Sequence, residues 1–203
     1  MLSNVRVVVR FPNQKTVSVA VVRKCGTSTV YSVLGYPRMG KITRTNKAVL
    51  ASYNEFWTSN KECPFDIDYK FAIVRDPVDR MYSIYKQRIL SRNVDDIKKE
   101  VTSWDMFVNN FYDIKSRYVD IASHSYLQTE KLGCKPNEYN FICNTNQIST
   151  FFIPKISEIS GVDIPNAQLK QTKKLDEEIT KKHIKLIKKY FKEDYKCWGD
   201  YFQ

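Results

Sequence analysis

The chain has 203 residues, 42% of them hydrophobic and 13% aromatic, which is enough apolar surface for one substantial core across residues 1–203 and speaks against disorder. Its formal net charge of +11 points to an anionic partner, and its apolar runs are too short and too often broken by charge for a membrane span or a signal-peptide core. Five cysteines (Cys25, Cys63, Cys134, Cys143 and Cys197), odd in number and without a CxxC pair, argue against a disulfide framework and a zinc knuckle, and hence for a reducing compartment.

The charge is uneven. Residues 1–60 hold nine Lys or Arg against one acid, Glu55, and contribute +8 of the +11. In chain order, "VRVVVRF" (5–11) and "VSVAVV" (17–22) read as strands joined by the turn signal "PNQK". The second strand runs into "RKCGTST" (23–29), and residues Thr27 to Leu34 suit a short helix stopped by Gly35 and Pro37. Arg38, Lys41, Arg44 and Lys47 follow in a solvated basic stretch.

"YKFAIV" (69–74) predicts a third strand that turns directly into a helix, with Asp76 as N-cap and Pro77 at the first helical position. In that helix Val78, Met81, Tyr82, Tyr85 and Ile89 form an apolar stripe. Asp76, Arg80, Ser83 and Gln87 share another face, so Ser83 need not enter the core and Arg80 can pair with Asp76 across one turn. Further helices are expected over 103–114 and 176–191, with His183 on the apolar stripe of the latter, and a strand over 139–144. Strands alternating with helices predict an α/β fold whose central, mainly parallel sheet is flanked by helices. Ligands would then bind beyond the strand ends.

Two strands that end in basic, hydroxyl-bearing loops and lead into helices suggest two anion sites on one sheet edge. Helix N-termini supply free N–H groups, glycine permits close approach, and Lys or Arg adds full charge. The Walker pattern fails because Tyr31 stands five positions after Gly26. A cysteine-phosphatase loop fails because Tyr31 also stands where Arg is required after Cys25, so Cys25 reads as a small loop residue rather than a nucleophile.

"RKCGTST" resembles the 5′-phosphosulfate loop of the sulfotransferases that use 3′-phosphoadenylyl sulfate (PAPS). "FAIVRDPVDRMYSIY" (71–85) resembles the 3′-phosphate motif, F-x-x-V-R-D-P-x-x-R-x-x-S-x-Y, of the Golgi-type carbohydrate sulfotransferases. "HSYLQ" (124–128), "YNFI" (139–142) and "YFKEDYKCWGDY" (190–201) are similar to that family's later motifs, in the same order. The resemblance implies a three-layer, P-loop-like sulfotransferase fold with PAPS as co-substrate and no metal. It implies that Lys24 stabilises charge on the leaving oxygen, and that Arg23, Lys24, Cys25, Gly26, Thr27, Ser28 and Thr29 surround the 5′-phosphate. Arg75 and Ser83 would hold the 3′-phosphate.

The acceptor is expected to be a carbohydrate or another hydroxyl compound, with Lys86, Arg88 and Arg92 among the residues able to guide an anionic one. Its general base is sought in Glu55 or His124, the latter because an imidazole needs little pKa tuning. The chain departs from the family at Ser125, Leu127 and Asn146, where Trp, Pro and Glu are usual, and lacks the Golgi membrane anchor. A cytoplasmic enzyme of bacterial or viral type is the expectation, unless the chain is a trimmed Golgi enzyme. The competing readings are a basic nucleic-acid-binding module and another nucleotide-binding, P-loop-like enzyme; under the leading reading no nucleic acid is expected as partner.

Overall fold

The computed structural model describes residues 6–34, 55–57, 66–91, 95–164 and 178–202. Arg38, Lys41, Arg44, Lys47 and Arg92 lie outside these residues. The first two strands, β1 (Arg6–Arg10) and β2 (Thr16–Val21), form an antiparallel hairpin in register Arg6 to Ala20 and Arg10 to Thr16. Its turn uses the residues that signal it: Gln14 takes a positive φ of 66°, and the Asn13 side chain accepts from the Lys15 amide at 3.1 Å.

Among the described residues three more strands, β3 (Glu55–Trp57), β4 (Tyr69–Val74) and β5 (Phe141–Asn144), make a five-stranded sheet in the order β3-β1-β2-β4-β5. β2 pairs parallel with β4 and β4 with β5, whereas the hairpin extends the other edge through antiparallel pairs. Every residue of β2 is buried, Thr16 and Ser18 included, as befits a strand covered on both faces.

α1 (Thr27–Val33) leaves the end of β2, and α2 (Pro77–Ile84) leaves the end of β4 and continues as a π-helical segment, Tyr85–Leu90. Helices α3 (Asp95–Glu100), α4 (Trp104–Asn109), α5 (Phe111–Arg117), α6 (Val119–His124) and α7 (Gln128–Leu132) follow. α8 (Ile153–Ser160), α9 (Lys181–Tyr190) and α10 (Lys192–Trp198) close the described chain.

Two apolar clusters result. One gathers the sheet with Val30, Val33 and Leu34 of the α1 region and Ile153 and Ile156 of α8. The other is purely helical and joins Met81, Tyr85, Trp104, Phe107, Phe111, Ile187 and Phe191. α10 bridges them, with Phe191 at its start in the helical cluster and Trp198 at its end in the sheet cluster.

The single helix expected over 103–114 divides at Asn110, whose backbone (φ −106°, ψ 20°) leaves the helical region; Ser103 caps the first piece by accepting from the Met106 amide at 3.1 Å. The late helix begins only after Thr180, where Thr180 and His183 exchange side chain to backbone bonds of 3.3 and 3.2 Å. His183 is buried and bonded to Asp105 at 2.9 Å, which makes it a structural histidine.

The cysteine expectation is overturned. Cys134 and Cys197 form a disulfide across 63 residues, while Cys25 and Cys143 are buried free thiols. Spacing could not reveal the pair because its halves meet only where the end of α7 packs on α10. The argument from cysteine usage for a reducing, cytoplasmic setting falls with it, because such bridges persist in oxidising compartments. No helix among the described residues is long and apolar enough to cross a membrane.

Candidate functional site

Because β2 and β4 are parallel neighbours, their carboxyl ends lie side by side and the two loops that leave them touch. The Arg75 guanidinium donates through Nη1 to the Lys24 carbonyl at 3.0 Å. The first loop is shaped by its backbone. The Cys25 amide and the Thr27 hydroxyl both donate to the Val22 carbonyl at 3.0 Å, and Lys24 and Gly26 take positive φ values of 69° and 75°.

For Lys24, left-handed backbone costs about 1 kcal/mol, a strain of the kind stored at functional positions. Gly26 is required twice over: its φ suits glycine, and a Cβ there would stand 2.5 Å from Ile148 Cδ1. The first bonds of α1 run from the Thr29 and Val30 amides to the Gly26 carbonyl, at 2.9 and 3.0 Å. The amides of Gly26, Thr27 and Ser28 therefore precede the first bonds of the helical ladder, at its positive end.

The second loop is shaped by side chains. Asp76 caps α2 by accepting from the Val78 amide at 2.6 Å, and Pro77 takes the first helical position, both as expected. Arg75 Nε is buried without a hydrogen-bond partner. Ser83, which its helix face left free to avoid the core, is only 4% exposed, yet its hydroxyl makes no hydrogen bond among the described residues. Two unspent donors thus remain at the end of β4 and along α2.

Asp76 and Arg80 do not pair. Asp76 also accepts from the Tyr195 hydroxyl, 3.1 Å from both carboxylate oxygens, and that hydroxyl is pushed far up from its ordinary pKa by burial and by Asp76. Arg80 turns inward instead. It is 1% exposed, donates to the Arg23 and His124 carbonyls at 3.1 Å each, and lies 4.0 Å from Asp194. Burial pulls its pKa down while Cys25 and Asp194 oppose that shift.

Gln128 joins the two loops from behind. Its carboxamide accepts from the Arg75 amide at 3.0 Å, donates to the Arg75 carbonyl at 2.9 Å, and accepts from the Cys25 thiol at 3.3 Å. Asp194 in turn accepts from the Gln128 and Thr129 amides at 2.9 Å, capping α7. Neither residue carries an assigned role in the sequence reading. The available signal was a carboxylate on the apolar face of the last helix, between Phe191 and Trp198 at helical spacing.

Cys25 is fully buried, and burial pushes its thiol up to about 11. With its amide already spent on Val22, it is no nucleophile, and its expected place among the phosphate ligands is withdrawn. Gly26, Thr27, Ser28 and Thr29 stay at the accessible end of α1, with Ser28 the most exposed. Arg23 is exposed and donates to Ser123 at 3.0 Å.

Neither candidate base survives. His124 is 6% exposed, its Nδ1 bonded to the Asp120 carbonyl at 2.7 Å and its Nε2 to Arg88 Nη2. Burial, with Arg88 and Lys24 adding repulsion, pushes its pKa down to about 4. The imidazole is neutral at pH 7, and its one lone pair is taken by an arginine, so it is no ready base. Glu55 pairs in register with Arg10, and Arg10 with Thr16 at the start of β2. It therefore stands at the opposite end of the sheet from the loops, about 17 Å along the strands.

Together these elements bring Lys24, Arg75 and the first residues of α1 to one edge of the sheet, with Arg80, Gln128 and Asp194 behind them. Lys24 Nζ itself donates to the exposed Gln87 side chain. No family model matches the chain, and no curated protein and no solved structure matches it either.

Proposed function

We propose that the protein is a sulfotransferase that uses PAPS as donor, passes its sulfuryl group to an acceptor hydroxyl, and releases adenosine 3′,5′-bisphosphate. The observation that supports this reading is the bond from Arg75 Nη1 to the Lys24 carbonyl at 3.0 Å, which joins the two basic loops at the ends of neighbouring parallel strands. The residues fit such a donor. Arg75 Nε and the Ser83 hydroxyl are unspent.

The donor, when bound, supplies an activated sulfuryl group on a phosphate leaving group. The amides of Gly26, Thr27 and Ser28, with the Thr27 and Thr29 side chains nearby, would hold the 5′-phosphate. Arg75 and Ser83 would hold the 3′-phosphate. Lys24 would place its ammonium where charge develops on the departing oxygen. For a group transfer with a loose transition state, preorganised cations at the leaving oxygen carry most of the rate enhancement. The acceptor is read as a carbohydrate or other hydroxyl compound, and the exposed Arg23 beside the first loop suits one that bears negative charge. The Cys134–Cys197 bridge favours an oxidising compartment as the place of work.

The test is sulfuryl transfer from labelled PAPS to a library of glycans and small alcohols, with Lys24→Ala beside the wild type. The expected result is transfer lost about 100-fold or more in Lys24→Ala with nucleotide binding retained. Absence of transfer to every acceptor, together with no affinity for PAPS, would refute the reading.

A further inference from the structure

The π-helical segment Tyr85–Leu90 extends α2, and two consecutive side chains from it reach the loop after β2 and the end of α6. A π turn is wider than an α turn, so neighbouring residues diverge less around the axis, and such turns recur at functional sites. Gln87 accepts from Lys24 Nζ. Arg88, the next residue, lies on His124 Nε2 and 3.5 Å from Asp120.

From this juxtaposition we propose that Gln87 is the positioning residue for Lys24: its side-chain oxygen holds the ammonium on the α2 side of the loop after β2, and the π-helical turn delivers it there. The proposal rests on the sulfotransferase reading for the role of Lys24, but the contact itself does not.

Three features support it. Lys24 leaves the chain from left-handed backbone, with φ of 69°, which fixes its Cα–Cβ direction and leaves the ammonium to be placed by its hydrogen-bond partner. Arg88 and Lys24 both act on the His124 ring, and a neutral acceptor on Lys24 fixes its ammonium without cancelling its charge. A carboxamide meets that need: it accepts a hydrogen bond and leaves the full positive charge for an anion. Gln87 is also exposed, and its carboxamide is spent on no other group among the described residues.

The experiment compares wild type, Gln87→Ala and Gln87→Glu. Trace acetylation with acetic anhydride across pH, read by mass spectrometry at each lysine, gives a pH midpoint for Lys24 without any substrate. The expected result is a Lys24 midpoint lowest in Gln87→Ala and highest in Gln87→Glu, by about 0.5 to 1 pH unit in the latter, with other lysines unmoved. In transfer assays kcat falls about tenfold in Gln87→Ala, while the Kd for adenosine 3′,5′-bisphosphate stays within about twofold, and Gln87→Glu, which keeps the acceptor oxygen, recovers part of kcat. Equal Lys24 midpoints in the three proteins would overturn the proposal. Protection of wild-type Lys24 by adenosine 3′,5′-bisphosphate separates the two claims: shifted midpoints without protection leave Gln87 as the holder of Lys24 and remove the sulfotransferase reading instead.

Discussion

The loop after β2 and the loop after β4 present the same kind of chemistry by different means. The first is a backbone device: two left-handed residues, a glycine pressed on Ile148, and a Lys24 side chain that reaches the protein surface. The second is a side-chain device, in which Arg75, Asp76 and Arg80 are tied to Gln128, Asp194 and Tyr195 from distant parts of the chain. The Lys24 side chain of the first can therefore be removed with little loss of stability. The Asp76 and Arg80 side chains of the second are bound into the core.

The largest effect that sharpens this contrast is expected in the second loop. Asp194→Ala strands the buried Arg80 cation and uncaps α7, and should lower stability by about 3–5 kcal/mol in urea denaturation. Lys24→Ala should change stability by less than about 1 kcal/mol in the same measurement. A comparable loss in both would break the distinction.

Next in size is Gly26→Ala. Its added Cβ meets Ile148 Cδ1 and its φ is unfavourable for alanine, so a loss of about 2–3 kcal/mol is expected. Pairing it with Ile148→Val should not restore stability, because the backbone strain remains after the contact is relieved. Full recovery in the double variant would show that space alone, and not conformation, selects glycine.

The smallest expected effect is on pH. His124 has its pKa lowered to about 4 in the folded state, below the ordinary 6.5, so the unfolded chain binds the proton more readily. The stability due to this neutral imidazole is fully present above pH 6.5 and is lost as pH falls toward 4, by about 2 kcal/mol. Urea titrations at pH 7 and pH 4.5 should show this loss in wild type and a smaller one in His124→Asn.

The backbone device was more legible in the sequence than the side-chain device. Strand, cap, proline and glycine signals placed β2, β4, α1 and α2 close to where they lie, because those signals act over a few residues. The joint edge of the two loops followed from strands alternating with helices. The Arg80–Asp194 pair and the grip of Gln128 on Arg75 depend on contacts 53 or more residues apart, which local periodicity does not encode. The same holds for the Cys134–Cys197 bridge. Glu55 and His124 failed as bases for a related reason: residue type suggested the chemistry, whereas register and burial decided against it.

The most direct test of the central claim, that the two loops form one site for two phosphate groups, is a thermal-shift comparison of adenosine 3′,5′-bisphosphate, AMP and ATP on wild type and Arg75→Ala. The account predicts that at about 100 times its Kd the bisphosphate raises the wild-type Tm by about 5 °C or more. AMP and ATP at the same concentration should raise it far less, and Arg75→Ala should erase the preference. Equal shifts with all three nucleotides, or a preference that survives in Arg75→Ala, would contradict it.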